Sequence, residues 1–193
     1  HNGWERRREI YHAEPASLSE VILLTPKAKM NERREKYPSI EIHPINFNSN
    51  ELNVQDWMFL LGAIGNDSTY IRQLKATMRS IRDNISLQAL RNSVATSTLL
   101  TTTQKSLAEQ RLQFAQEYID DNSQIRSLLR PGRLIIVDLR DPFIEKDEAL
   151  GLFVVMLNIF SGVKTFNSKA FNKFIVFDEA HKYMDNKDLT GSI

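Results

Sequence analysis

The segment Phe174-Ile-Val-Phe-Asp178-Glu179 sets four apolar residues before two adjacent acids. A buried strand ending at Phe177 would fix the first carboxylate at the rim of a sheet. There Asp178 can hold the magnesium of a nucleotide, directly or through water, while Glu179 orients or activates the attacking water. A buried strand that ends in acids simply to meet a loop gives the same pattern, so two readings stand. Asp138, in the apolar run Leu134-Ile-Ile-Val-Asp-Leu139, would bring a further carboxylate to the same rim, or else cap the turn before Pro142. Arg72, Lys75, Arg79 and Arg82 recur at helical spacing as a basic stripe. Such a stripe suits a DNA phosphate or a neighbouring subunit's nucleotide, and a solvated helix face explains it equally.

The elements that must position these residues fall into three stretches. Residues 1–49 hold two strand signals: Val21-Ile-Leu-Leu-Thr25, closed by Pro26, and the weaker, Pro-interrupted edge pattern Ile40 to Phe47. The charged stretch Lys27 to Lys36 between them reads as a surface connection or short exposed helix. Residues 50–129 read as an all-helical insertion. Asn53 can cap a helix through Leu61; Ile71, Leu74, Met78 and Ile81 mark a second; Leu87 to Thr98 is a third. Gln104 to Asp120 is a fourth, with Leu107, Leu112, Phe114, Ala115, Tyr118 and Ile119 as a wide apolar face. Residues 130–193 then carry the turn Pro131-Gly132, a strand over 134–139 expected to be buried on both faces, a helix from Glu145 to Phe160, and a strand over Phe174–Phe177. Strand, helix, strand in this order predicts a right-handed parallel crossover, hence an α/β fold. Ligands of such sheets gather beyond the carboxyl ends of the strands, where Asp138 and the residues after Phe177 fall.

Composition bounds the partners. Twenty-five Lys and Arg against 24 Asp and Glu leave a net charge of +1, so contact with nucleic acid or an anionic membrane must be local. The absence of cysteine excludes disulfides, Cys-ligated zinc, iron–sulfur clusters and a Cys nucleophile, and suits a cytoplasmic protein. The longest apolar run, Ala149 to Phe160, falls far short of the roughly 20 residues that cross a bilayer, so no membrane partner is expected. Arg6-Arg7-Arg8 reads as a solvated helix end.

Four apolar residues followed by Asp-Glu have the form of a Walker B element. With Arg130-Pro-Gly-Arg-Leu-Ile-Ile-Val-Asp-Leu-Arg-Asp141 upstream and Phe177-Asp-Glu-Ala-His-Lys-Tyr183, the sequence resembles the HerA-FtsK P-loop ATPases, specifically bacterial and archaeal HerA-like proteins. The resemblance runs from about Val21, where the segment to Pro38 looks like the one preceding a family helical insertion, to about Asp185. Its specific motifs lie in the last third. It implies a partial RecA-like P-loop sheet with the helical insertion, and ATP and Mg2+ as cofactors. It further implies a homo-hexameric ring translocating double-stranded DNA, often with a nuclease or other effector partner. Asp178 and Glu179 carry over as the metal and water residues. His181 completes the family's DEAH form, where it would couple nucleotide state to neighbouring elements, or it caps a loop.

The phosphate-cradling loop G-x-x-x-x-G-K-S/T is missing. Gly162-Val-Lys-Thr165 follows a helix and lacks the Gly-Lys pair. The expectation is therefore an internal piece of a longer ATPase, starting after its P-loop and inactive when isolated. Two other classes compete. One is a non-catalytic assembly module with a vestigial DEAH motif. The other is a DEAH-box helicase, which shares only the tetrapeptide.

Overall fold

The computed structural model describes residues 20–63, 68–82, 85–170 and 172–178. Glu179, His181, Arg6 to Arg8 and the turn residues Gly65 to Asp67 lie outside them. Three strands form a parallel sheet: β1 (Glu20–Thr25), β2 (Glu41–Pro44) and β3 (Arg133–Val137), in the order β2-β1-β3. The β-branched and leucine-rich run of β1 takes the centre, with Leu23 opposite Ile42 on one side and Ile136 on the other. Pro44 confines β2 to an edge, as the sequence suggested, and ends it three residues short of the expected Phe47. Phe47 instead bridges the insertion, its N–H donating to Tyr118 O at 2.7 Å and its carbonyl accepting from Asp120 N at 2.9 Å.

A short helix, α1 (Met30–Lys36), links β1 to β2, so these two strands are themselves a parallel crossover unit. Four helices follow: α2 (Val54–Leu60), α3 (Thr69–Ile81), α4 (Leu87–Thr96) and α5 (Thr102–Glu117). Their starts are written locally. Asn53 accepts from the backbone N–H groups of Gln55 and Asp56, while Asp56 accepts from Asn53 N, a reciprocal capping box. Thr101 and Gln104 repeat the arrangement on α5.

After β3 comes α6 (Lys146–Gly162), capped by Glu145 and Glu148, then a small hairpin, β4 (Thr165–Phe166) with β5 (Lys169–Ala170). Leu24 of the sheet, Trp57, Leu74, Leu90 and Leu112 of α2 to α5, and Leu152, Val155 and Ile159 of α6 belong to one apolar cluster. The helical insertion thus shares its core with the sheet. Gly151 is where α6 crosses α2 most closely: a Cβ there would lie 2.5 Å from the Phe59 carbonyl oxygen. Asn158 Nδ2 donates to the buried Asp56 Oδ1 at 2.9 Å and fastens the same pair of helices.

Three expectations change. The strand over 134–139 is not buried on both faces: Leu134, Ile136 and Val137 are exposed, because β3 is an edge of the described sheet. On the fourth predicted helix one residue departs from the expected apolar face: Leu112, Ala115 and Tyr118 are buried and Phe114 and Ile119 pack against the core, while Leu107 is 45% exposed. Phe174–Phe177 is not a strand. The segment has no ladder partner among the described residues, and Phe174 is 97% and Val176 88% exposed. An apolar run meets the side-chain requirement of a strand, but a strand also needs an edge to pair with.

Candidate functional site at the carboxyl rim of the sheet

Asp138 directly follows β3, and its N–H still donates to Leu24 O at 2.8 Å. Strand alternation puts its side chain on the face of Ile136 and Leu134. On that face Arg33 of α1 meets it, Nε donating to Oδ2 at 2.9 Å, while Nη2 of Arg33 donates to Arg140 O at 2.9 Å. Arg140 closes over the same carboxylate, Nε donating to Oδ1 at 2.8 Å and Nη2 to Oδ2 at 2.6 Å. Its backbone N–H adds a third bond to Oδ1 at 3.0 Å.

Asp138 and Arg33 are both buried, and each carboxylate oxygen is occupied. Burial alone pushes the Asp138 carboxyl up. The hydrogen bonds from Arg140 and the charges of Arg33 and Arg140 outweigh it and hold the pKa at about 2. The Arg140 guanidinium is correspondingly raised, first by its hydrogen bond to Asp138. Of the two readings of Asp138, neither a free rim carboxylate nor a simple cap describes it. It is the anchor that fixes two guanidiniums. Neither arginine was legible as a site residue. Arg140 is signalled only by its spacing two after Asp138, and Arg33 only by the need of a buried acid for a counter-charge.

Asp178 sits elsewhere in its chemistry. It is exposed and makes no hydrogen bond or ion pair among the described residues. The segment leading to it is tied to α6 at two points. Lys173 Nζ donates to the carbonyl of Phe160 at 2.6 Å and also to that of Val163, satisfying acceptors at the helix end, and the Phe177 ring meets Phe153 edge-on at 5.0 Å. No three His, Asp or Glu side chains converge as a metal site among the described residues. A single free carboxylate nonetheless fits Mg2+, which keeps most of its waters and takes its other ligands from phosphate. Asp138, with both oxygens spent, does not fit as a ligand.

Arg72, Lys75, Arg79 and Arg82 lie exposed along and just after α3, beside the stripe of its buried residues Ile71, Leu74 and Met78, and have no ion-pair partner among the described residues. They form the stripe that the spacing predicts, on the insertion and not at the sheet rim. No helix among the described residues is long and apolar enough to cross a membrane. Comparison of the chain with protein-family models, curated proteins and solved structures returns no match.

Proposed function

We propose that this chain is part of a magnesium-dependent ATPase motor of HerA-FtsK type, a homo-hexamer acting on double-stranded DNA. The observation that carries the reading is the path of the chain after β3. Helix α6 returns the backbone, and the Phe177–Phe153 contact docks on it the residue immediately before Asp178. The resemblance asks for a parallel sheet and for an apolar run before Asp-Glu; the sheet is present, and the run lies against α6 without joining the sheet.

In this reading Asp178 would hold Mg2+, which would supply charge neutralisation for the transferred phosphoryl group, and Glu179 would orient the attacking water. Asp138 takes no part in the chemistry and keeps Arg33 and Arg140 in place. The stripe on α3 supplies phosphate contacts to DNA or to a neighbour's nucleotide. Phosphate release by the full-length protein carrying this chain, with magnesium and double-stranded DNA present, tests it. Asp178→Asn is expected to remove turnover, and wild-type turnover in that variant would refute the role of Asp178.

One observation favours the alternative of a non-catalytic assembly module: Phe143, Phe174 and Val176 are all more than four-fifths exposed, as a docking segment would be. A wild-type protein that hydrolyses no ATP would leave that reading standing.

A further inference from the structure

The two loops that leave the carboxyl ends of the adjacent strands β1 and β3 part towards opposite faces of the sheet. After β1 the chain enters α1, and Arg33 of that helix reaches Asp138 on the face of Leu134 and Ile136. After β3 it enters α6, whose Leu152, Val155 and Ile159 share a cluster with Leu24, and Ile135 packs against that cluster from the other face. The gap between such diverging loops is the topological switch point of an open parallel sheet, where ligands bind. A cleft of about 480 Å³ opens there, lined by Lys29, Glu32, Arg33 and Lys36 on one side and Arg140 and Asp141 on the other.

The lining sets four cations against two carboxylates, and counting Asp138 beneath them still leaves a positive balance. Asp138 grips Arg140 at Nε and Nη2, which fixes the guanidinium plane, yet 70% of the Arg140 side chain stays exposed. Lys29 leans on Glu32 at 3.2 Å. Lys36 has no carboxylate partner among the described residues; its ammonium stands 5.6 Å from the centre of the Tyr37 ring. A guanidinium pre-oriented by a buried acid, lining the same cleft as an ammonium that has no carboxylate partner among the described residues, is a donor set for a tetrahedral oxyanion.

We infer that this cleft binds a phosphate-bearing small anion through Lys36, Arg140 and Lys29. The ligand's phosphate comes from a nucleotide or from an inorganic phosphate, and the donor set is the same for both. The site uses neither Asp178 nor Glu179, so it stands or falls separately from ATP hydrolysis.

The test is a calorimetric titration of the 193-residue chain, without magnesium, with inorganic pyrophosphate, ATP and adenosine in turn. Saturable binding of pyrophosphate is expected, weakened about tenfold by Lys36→Ala, as loss of one charge-assisted contact implies, and unchanged by Lys105→Ala on α5. ATP binding tighter than pyrophosphate marks a nucleotide as the source; equal or weaker binding marks recognition of the phosphate alone. Adenosine binding as well as ATP, no saturable binding of either anion, or equal affinity in the Lys36 variant and wild type would overturn the site. So would binding confined to a DNA oligonucleotide.

Discussion

Arg33 Nε lies 2.9 Å from Oδ2 of Asp138, a buried ion pair between residues 105 positions apart that ties α1 to the end of β3. Both groups are buried, and Arg140 on the carboxylate and Glu32 on the guanidinium complete the charge pairing. The pair fixes how α1 sits on the sheet and, through Arg140, the shape of the cleft beside it.

Arg33→Ala leaves Asp138 buried with Arg140 as its remaining cation. Removing one partner of a buried pair costs about 3 kcal/mol or more because the other charge stays desolvated. Urea unfolding of the variant should show a midpoint well below wild type with an unchanged slope. An unchanged midpoint would mean that Arg140 suffices alone.

The depressed pKa of Asp138 couples stability to acid. The folded carboxyl titrates at about 2 and the unfolded one near 4, so the unfolded chain takes up the proton first as pH falls. The stabilisation is complete above about pH 4 and is lost as pH falls through about 2, an effect of order 2 kcal/mol. Denaturant midpoints measured across that window should fall less steeply in Asp138→Asn than in wild type. Parallel curves would show that other carboxylates govern acid unfolding.

Gly151→Ala tests the crossing of α2 and α6. Alanine favours a helix over glycine by about 1 kcal/mol, but here its methyl would stand 2.5 Å from the Phe59 carbonyl oxygen, a backbone atom that moves only with its helix. Overpacking of this kind costs roughly 1–3 kcal/mol, so a net loss of stability is expected in thermal or urea unfolding. A stabilised variant would show that the helices part freely.

Asn158→Ala removes the donor to Asp56 Oδ1 and leaves that buried oxygen without its partner. The expected loss is about 1–3 kcal/mol. Because Asp56 also caps α2 through Asn53 N, hydrogen exchange at the first turn of that helix should quicken together with the loss of global stability. Unaltered exchange there would separate the cap from the inter-helix bond.

Local signals carried most of the fold. Asn53 and Glu145 mark helix starts because a cap is a contact between near neighbours, whereas the cap at Thr101 escapes a reading from sequence and the helix expected from Gln104 starts at Thr102; the run Val21 to Thr25 makes a central strand because its side chains suit burial on both faces. What failed needed distant information. Leu107 fits a helical apolar face, yet it stays 45% exposed. Phe174 to Phe177 has the composition of a strand and finds no edge among the described residues. Arg33 stands in a run of charged residues that reads as solvated, and its burial rests largely on partners over a hundred positions away, Asp138 and the Arg140 carbonyl. Asp178 reads in the sequence as an acid that a buried strand delivers to the sheet rim, and that strand does not form among the described residues; the anchoring role of Asp138 is not legible there.

The most direct test of the ATPase reading is phosphate release by the full-length protein and its Glu179→Gln variant, with magnesium and double-stranded DNA, alongside ATP binding by both. The expected result is turnover in the wild type, loss of at least about a hundredfold in the variant, and ATP affinity unchanged, as removal of a water-orienting group implies. Equal turnover in the two proteins would contradict it.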